Sequence, residues 1–483
     1  MAPEPRLLIG GEWVAAGGGG YEVVNPATEQ VVGEAPDASV ADAERACAAA
    51  ADAFVRWSRT TQEHRADLLT RVADLLDKRR EELVPLVQAE TGATLRVTKQ
   101  MQVPMAATRF RRYAQIESNI VPLPPSVMPG TALAPGGIIG AIEHRAPVGV
   151  VGCITSYNFP MTNVAGKVAP ALAMGNTVVV KPAWQDPLAV LRMGEVFEEA
   201  GFPPGVVNIV SARDPAPAEA IVSSPHVDMI SFTGSTAVGC RIAEVAGHDM
   251  KRLLLELGGK GSAVVFADAD LDVVQAAVSS VWTFHSGQIC TAPTRLIAHR
   301  SIYDEVVGRL TAMAGGLKVG DPLERDTVLG PVITAAHRDR IEDHVRTAID
   351  EGATAVAGGL RPGSDTGFFV APTLLADARV DMTAVQEEIF GPVLVAIAFD
   401  EDDEAVALAN ATEYGLYDYV FSSDTTKAMA VAQQLRSGSV GINTAQRNHE
   451  AAFGGFKRSG VGRDGGSWGL HAYSEMQSII WPG

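Results

Sequence analysis

Three polar residues in the middle of the chain have the types that covalent catalysis requires: Cys290, Glu256 and Asn158. A free thiol has a pKa of about 8.5, so little of it is thiolate near neutral pH unless a neighbouring group activates it. Glu256 precedes two glycines, where partial desolvation would raise its pKa and suit it to act as a base. The amide of Asn158 can donate to a developing oxyanion, which is worth about 3–4 kcal/mol. Taken singly, the three also fit a core cysteine, a surface glutamate and a turn asparagine.

A turn from a strand into a helix at Phe232–Gly239 has the chemistry of an anion site. Gly234 permits a tight turn, and the amides that follow Ser235 would then form a helix N-terminus. Lys181 ends the predicted strand Thr177–Val180, at the edge of a parallel sheet where ligands bind. These residues predict phosphate or ribose binding. A plain connecting turn and a solvated lysine are the alternatives.

These side chains need a scaffold that brings strand ends together, and the chain alternates buried strands with helices. In the first half, the predicted strands are Val148–Ile154, Thr177–Val180, Val206–Val210 and Met229–Phe232. A second alternation runs from about Ser262 to about Ile442. The pattern predicts an α/β fold with mostly parallel sheets and helices on both faces. Residues 62–91 are predicted to form one helix, residues 121–137 a proline-rich excursion, and Tyr473–Trp481 a terminal strand.

Composition limits the partners that the chain can have. Of its 483 residues 47% are hydrophobic, and the net charge of −18 argues against nucleic acid or an anionic membrane, since both require a basic face. The four cysteines lack C-x-x-C spacing, so we expect no disulfide framework, no metal site and a reducing, cytoplasmic location. Residues 1–6 lack the regions of a signal peptide, and no apolar run reaches the length of a membrane span.

Seven motifs occur in a characteristic order along the chain. They are Asn158-Phe159-Pro160, Lys181-Pro182, Phe232-Thr-Gly-Ser-Thr236, Glu256-Leu-Gly-Gly-Lys260, Gly287-Gln288-x-Cys290, Glu387-Glu388-Ile-Phe-Gly-Pro392 and Phe453-Gly-Gly-Phe-Lys457. In this order they resemble the aldehyde dehydrogenase superfamily, from about residue 7 to the C-terminus. The resemblance implies a Rossmann-type dinucleotide-binding domain (1–120 and 140–256), an α/β catalytic domain (257–445), and a small β oligomerisation arm with a C-terminal segment (121–139 and 446–483). It also implies a homodimer or homotetramer.

The resemblance further implies roles for individual residues in the NAD(P)-dependent oxidation of an aldehyde to a carboxylic acid. Cys290 matches the nucleophile that forms a thioester, Glu256 the base for its hydrolysis, and Asn158 the oxyanion donor. Lys167 matches a lysine linked to proton relay. The matching cofactor-binding positions are Lys181, Trp184, Gly234, Ser235, Glu388 and Phe390. The matching positions near the aldehyde are Met161, Thr162, Gly166, Phe284, Ile289 and Thr291.

Some features leave alternatives open. Trp184 stands where NAD-preferring members often carry a glutamate, so NAD is expected with NADP as a second possibility. Gly166 is small and allows a roomier apolar pocket, whereas Arg447 either binds a carboxylated semialdehyde or is a solvated loop residue. The rival functions are a CoA-acylating member, in which CoA attacks the thioester, and a non-catalytic homologue. Glu256 argues against the first, because that branch usually lacks the base, and the presence of Cys290, Glu256 and Asn158 argues against the second.

Overall fold

The computed structural model describes residues 6–133, 135–359 and 366–482. The prediction that no signal peptide is present concerned residues 1–6, and residues 1–5 lie outside the described ranges. The strands are β1 Arg6–Ile9, β2 Glu12–Ala15, β3 Gly20–Val24, β4 Val31–Pro36, β5 Ile120–Pro122, β6 Ser126–Met128, β7 Gly137–Pro147, β8 Val150–Ile154, β9 Thr177–Lys181, β10 Val207–Ile209, β11 Met229–Thr233, β12 Arg252–Glu256, β13 Gly261–Val265, β14 Pro293–His299, β15 Thr354–Ala357, β16 Thr373–Ala376, β17 Val393–Phe399, β18 Tyr417–Phe421, β19 Ser439–Ile442, β20 Gly460–Val461 and β21 Ser474–Pro482. The helices are α1 Val40–Trp57, α2 Gln62–Lys78, α3 Arg80–Thr91, α4 Leu95–Met101, α5 Val103–Tyr113, α6 Pro160–Ala173, α7 Leu188–Ala200, α8 Ala216–Ser223, α9 Thr236–His248, α10 Leu271–Trp282, α11 Arg300–Gly315, α12 Ala335–Asp350, α13 Thr383–Gln386, α14 Asp402–Asn410, α15 Thr425–Ala432 and α16 Gly466–His471.

Two largely parallel sheets form the body of the molecule, which confirms the predicted α/β class. The first has the strand order β2-β1-β10-β9-β8-β11-β12-β20, and its five central strands run parallel. The second has the order β15-β16-β17-β14-β13-β18-β19 and is parallel except at β15. Strands β8 and β9 are buried along their whole length, as expected of parallel strands covered by helices on both faces.

The predicted helix over residues 62–91 is in fact two helices, α2 and α3, which meet at Arg79. Arg79 leaves the helical conformation at φ −90° and ψ 11°. Its guanidinium lies 3.0 Å from Glu195 and 2.5 Å from Glu199, both on α7. Local periodicity gives no sign of this break, because the contacts at the junction come from a distant helix. Helix α8 was not predicted either.

A small sheet extends from the body and contains the proline-rich excursion. Strand β21 pairs antiparallel with β7 along its whole length, and the short strands β5 and β6 also pair with β7. Large apolar side chains are exposed on it, including Val127 at 81% and Ile480 at 65%. Strand β7 continues to Pro147, beyond the predicted end of the arm, and the domain limits stay predictions.

No helix in the described part of the chain is long and apolar enough to cross a membrane. The cytoplasmic location stays a prediction.

Candidate active site

A cleft of about 540 Å³ lies between the two parallel sheets. The first sheet contributes residues that follow β8, β11 and β12, and the second contributes residues that precede β14 and β17. Seven of the ten predicted catalytic and cofactor-binding residues line it: Asn158, Gly234, Ser235, Glu256, Cys290, Glu388 and Phe390. Lys167, Lys181 and Trp184 lie outside its lining.

Cys290 ends a tightly bent loop that follows α10. His285 and Ser286 both adopt left-handed conformations in this loop, with φ of 48° and 55°. Such conformations cost of order 1–3 kcal/mol each and persist only where surrounding contacts enforce them. Here the side chain of Gln288 supplies such contacts, since its amide donates to the His285 carbonyl at 3.1 Å and accepts from the Ile333 N–H at 3.0 Å. The loop therefore holds Cys290 at the cleft.

Asn158 is held against the same loop. Its Nδ2 donates to the Gln288 carbonyl at 2.9 Å. Its Oδ1 accepts from Ser156 Oγ at 2.8 Å and from Asn163 Nδ2 at 3.1 Å. Because both ends of the amide are engaged, its NH₂ group points towards the cysteine loop. The second N–H of that group is suited to an oxygen of a substrate bound at Cys290.

Glu256 ends strand β12 and is 6% exposed, and neither of its carboxylate oxygens has a hydrogen-bond partner among the described residues. Desolvation raises its pKa well above the ordinary value; Asp464 adds to this rise and Lys167 opposes it. A Cβ at Gly454 would lie 2.9 Å from Glu256 Oε1, so the glycine there leaves space beside the carboxylate. A buried carboxylate without a partner is costly, and such groups concentrate at functional sites.

Lys167 lies behind the cleft on helix α6 and is 2% exposed. Its Nζ donates to Ser231 Oγ at 3.2 Å, and that hydroxyl is 2.9 Å from the Tyr473 hydroxyl. Desolvation lowers the pKa of Lys167, against the nearby charges of Asp464 and Glu256. The lysine therefore acts on Glu256 through its charge, from behind the cleft wall.

The thiol of Cys290 is not activated by its protein surroundings. Desolvation raises its pKa to about 12, and Glu388 and Glu256 add to the rise while Arg447 opposes it. The structure therefore holds a neutral thiol beside a carboxylate that favours its protonated form. A cationic group brought into the cleft would favour the thiolate.

One wall of the cleft fits a dinucleotide. Ser235 caps the thirteen-residue helix α9, so the amides of its first turn face the cleft. The Glu388 carboxylate accepts from the Gly259 N–H at 2.9 Å, and burial raises its pKa to about 7. The Phe390 ring lies 6.0 Å from the Tyr157 ring, edge to face. These groups suit a phosphate, a ribose hydroxyl and a planar ring respectively.

Lys181 and Trp184 extend this wall beyond the cleft. Lys181 is 8% exposed, its ammonium group makes no hydrogen bond within the described chain, and desolvation lowers its pKa to about 8. Trp184 is partly buried and packs against the apolar cluster that contains Tyr21. The Arg213 guanidinium lies 5.3 Å from the centroid of its ring. Sequence reasoning missed Arg213, because nothing in its local sequence sets it beside position 184.

The six positions predicted near the aldehyde lie behind the walls of the cleft, outside its lining. Met161 is fully buried, and the Thr162 hydroxyl donates to the Gln102 carbonyl at 3.2 Å. Phe284 and Ile289 pack with Phe159. The remaining two are Thr291, whose carbonyl accepts from the Tyr419 hydroxyl, and Gly166, which faces the Arg109 guanidinium. Their role near the substrate stays a prediction.

Known proteins resemble this chain over nearly its whole length. Residues 13–479 match the model of the aldehyde dehydrogenase family. The phenylacetaldehyde dehydrogenase of Pseudomonas fluorescens is 37% identical, with 98% of this chain and 95% of that protein covered. The geranial dehydrogenase of Castellaniella defragrans is 38% identical, with 98% of both covered.

Solved structures give the same result. A point mutant of the Staphylococcus aureus betaine aldehyde dehydrogenase, in complex with NAD⁺, has a TM-score of 0.94 at 34% identity, with 99% of this chain and 97% of that chain covered. An NAD⁺ complex of an aldehyde dehydrogenase from Bacillus cereus has a TM-score of 0.92 at 36% identity, with 99% and 96% covered. The chain belongs to the aldehyde dehydrogenase family, and the predicted family, fold and enzyme class are confirmed.

Proposed function

We propose that this enzyme oxidises an aldehyde to the carboxylic acid through a thioester on Cys290, with Glu256 as the base that hydrolyses it and NAD⁺ as the cofactor. The observation that carries the proposal is the carboxylate of Glu256, which is buried, lacks a hydrogen-bond partner in the described chain and lines the same cleft as Cys290 and Asn158. Because burial raises its pKa above that of an ordinary carboxylate, Glu256 is a stronger base than a solvated glutamate.

In the first half-reaction, the Cys290 sulfur attacks the aldehyde carbon, and the thiol proton passes to the Glu256 carboxylate. The carbonyl oxygen takes up the electron pair, and the free N–H of Asn158 Nδ2 stabilises its charge. The cofactor, when bound, would supply the acceptor for the hydride of the tetrahedral carbon, and its positive charge would favour the thiolate. The result on the protein is an acyl group on Cys290.

In the second half-reaction, Glu256 first releases the thiol proton to solvent. The carboxylate then takes a proton from water, and the oxygen of that water adds to the thioester carbon. The Cys290 sulfur leaves, and the carboxylic acid is released. We propose that Lys181, Trp184 and Ser235 hold the adenosine and phosphate portion of the cofactor, and that Glu388 and Phe390 hold its nicotinamide end. From behind the cleft, the positive charge of Lys167 lowers the pKa of Glu256 and so favours its carboxylate form.

The presence of Glu256 favours hydrolysis over transfer to CoA, because water needs a base and a thiol acceptor does not. The test is an NADH absorbance assay with aliphatic, aromatic and carboxylated aldehydes, run with and without CoA. We expect NADH and free acid without CoA, and no NADH from Cys290→Ala. Activity that requires CoA would contradict the proposal.

We also propose that the arm formed by β5, β6, β7 and β21 joins copies of this chain. Its sheet leaves β21 as an edge strand and exposes large apolar side chains, features that proteins normally cover. We expect light scattering at micromolar concentration to give the mass of a homodimer or homotetramer. A monomeric mass would contradict this.

A further inference from the structure

A second cleft, of about 300 Å³, lies between helix α5 and the chain from residue 447 to residue 466. Four arginines and two carboxylates line it: Arg109, Arg111, Arg112, Arg447, Glu450 and Asp464. The chain as a whole carries a net charge of −18, so a cleft lined by more arginines than carboxylates differs from the chain as a whole. Such a cleft raises the local concentration of anions.

The arginines of this cleft are not equivalent, because acidic residues already neutralise two of them. Arg111 lies 2.9 Å from Asp74 and 2.6 Å from Asp77. Arg112 lies 2.6 Å from Glu450 and is also paired with a second glutamate. The charges of these two guanidinium groups are therefore already neutralised by carboxylates of the protein.

The other two arginines have free capacity. Arg109 is 3.9 Å from Asp464 and donates to the Thr162 carbonyl at 3.2 Å, which leaves most of its donors unused. Arg447 makes no hydrogen bond and no ion pair with any residue in the described ranges. Its guanidinium lies 4.0 Å from the centroid of the Phe453 ring, a contact that holds it at the cleft.

The chain that continues from this cleft reaches the reaction centre. Gly454, directly after Phe453, is the residue whose Cβ would lie 2.9 Å from Glu256 Oε1. Desolvation raises the pKa of both Glu256 and Cys290, and the charge of Arg447 opposes the rise at each of them. The second cleft thus approaches Glu256 from the side of Phe453 and Gly454, whereas the dinucleotide wall lies in the first cleft.

The glycine at position 166 supports this interpretation. A Cβ there would overlap the Arg109 guanidinium, so the absence of a side chain makes room for a cation. The sequence allowed a roomier apolar pocket at Gly166. In the structure, the positively charged guanidinium of Arg109 occupies that space.

We propose that the second cleft admits the aldehyde and that Arg447, assisted by Arg109, binds a carboxylate at the far end of the substrate. The substrate is then an aliphatic aldehyde with an ionised carboxylate at its other end, with its methylene chain along Met105 and Phe453. A guanidinium matches the two oxygens of a carboxylate, and the nearby Asp464 and Glu450 disfavour a dianion such as a phosphate. The inference rests on the proposed function, because it assigns a substrate class to the same reaction.

This substrate class differs from those in the names of two relatives. Phenylacetaldehyde and geranial, in the names of the Pseudomonas and Castellaniella enzymes, are uncharged. A charged and an uncharged aldehyde of equal length therefore separate the inference from a general activity on aldehydes.

The experiment compares succinic and glutaric semialdehydes with their methyl esters, which keep the length and lose the charge. In the native enzyme, we expect kcat/KM to be about 10–100-fold higher for the acid than for the ester of the preferred length, the range of charge-assisted hydrogen bonds. Arg447→Met replaces the guanidinium beside Phe453 by an uncharged side chain and should lose most of that ratio, chiefly through KM for the acid. Arg111→Met is the matched control, because Arg111 lines the same cleft but is neutralised, and it should keep the ratio.

The outcomes separate the two proposals. Equal kcat/KM for acid and ester in the native enzyme overturns the inference and leaves the proposed function standing, since the ester is still oxidised. A native preference for the acid that survives Arg447→Met and is lost in Arg111→Met also overturns the assignment. If no aldehyde is oxidised above the rate of Cys290→Ala, it is the proposed function that fails.

Discussion

The cleft around Glu256 and the region beneath helix α7 around Glu90 each hold a buried carboxylate close to a second acidic residue. Glu90 is fully buried, and its two oxygens accept from the N–H groups of Leu188 and Ala189 at 2.8 and 3.0 Å. It therefore caps the first turn of α7, where Pro187 offers no side-chain cap. Glu256 has no such partners in the described chain.

Both regions contain acids with raised pKa values, so the raised pKa does not by itself mark the active site. Desolvation raises the pKa of Glu90 to about 8, against its two backbone hydrogen bonds. Asp186 beside it is also buried without a hydrogen-bond partner in the described chain, and desolvation followed by the charge of Glu90 raises its pKa. What distinguishes Glu256 is geometry, because its free oxygens share a cleft with Cys290 and Asn158.

The largest expected effect comes from removing the base alone. Glu256→Gln keeps the shape of the side chain but cannot take a proton, so hydrolysis should fall by about 10²–10⁴-fold. Acylation should also slow, because Glu256 takes the thiol proton, but hydrolysis should suffer more. Because Cys290 remains, rapid mixing should still show a burst approaching one NADH per active site before a slow steady state. Mass spectrometry should find the acyl group on Cys290.

Cys290→Ala is the control, and it should give no burst. Turnover of Glu256→Gln at the native rate would contradict the assignment of the base. An acyl group on Cys47, Cys153 or Cys240 would contradict the assignment of the nucleophile.

The same comparison shows what could be predicted from the sequence. Glu256 and Asn158 each follow a strand of one parallel sheet, and the carboxyl ends of parallel strands meet at one edge, so their proximity follows from the fold class. The order of the motifs along the chain added the prediction that Cys290, contributed from the side of the second sheet, lies near these two residues. Nothing local to Glu256 shows that both its oxygens lack partners, because that depends on Gly454, nearly two hundred residues away.

The residues that the sequence did not reveal owe their positions to contacts between distant segments. Arg109 on α5 lies against Gly166 on α6, and Asp464 near the C-terminus raises the pKa of Glu256. The break at Arg79 has the same origin, since its partners are on α7. Periodicity and capping rules describe neighbours along the chain and contain no information on such contacts.

The acid pair beneath α7, Glu90 and Asp186, gives the second prediction, which concerns how the stability of the fold depends on pH. Burial and the charge of Glu90 both raise the pKa of Asp186, so ionising both acids is costly. Asp186→Asn removes one of the two acids and keeps the shape of the side chain. An acid with a raised pKa stabilises the fold fully below its unfolded pKa and loses that contribution as pH rises, so the variant should gain stability relative to the native enzyme with increasing pH.

Thermal unfolding between about pH 5 and pH 9 measures this effect. We expect Tm of Asp186→Asn to rise relative to the native value by about 1 °C from the acidic to the alkaline end, for a gain of roughly 1 kcal/mol in a chain of this length. Asp67→Asn, at an exposed position on α2, is the control and should show no trend. A Tm difference that does not change with pH would show that Asp186 does not ionise at a cost to the fold.

The smallest expected effect concerns the segment from Lys181 to Asp186, which joins the two regions. Trp184 lies on it with its ring under Arg213, and no carboxylate stands at position 184 to accept from ribose hydroxyls. A residual use of NADP beside NAD is therefore expected, with Arg213 as a cation available to a 2′-phosphate.

Trp184→Glu places a charge near the surface, where it can be solvated, and it should repel that phosphate and pair with Arg213. We expect the ratio of kcat/KM for NAD to that for NADP to rise by about tenfold, or roughly 1.4 kcal/mol. Trp184→Gln removes the ring without adding charge and should give a smaller rise, so equal ratios in the two variants would show that position 184 does not face the adenosine ribose.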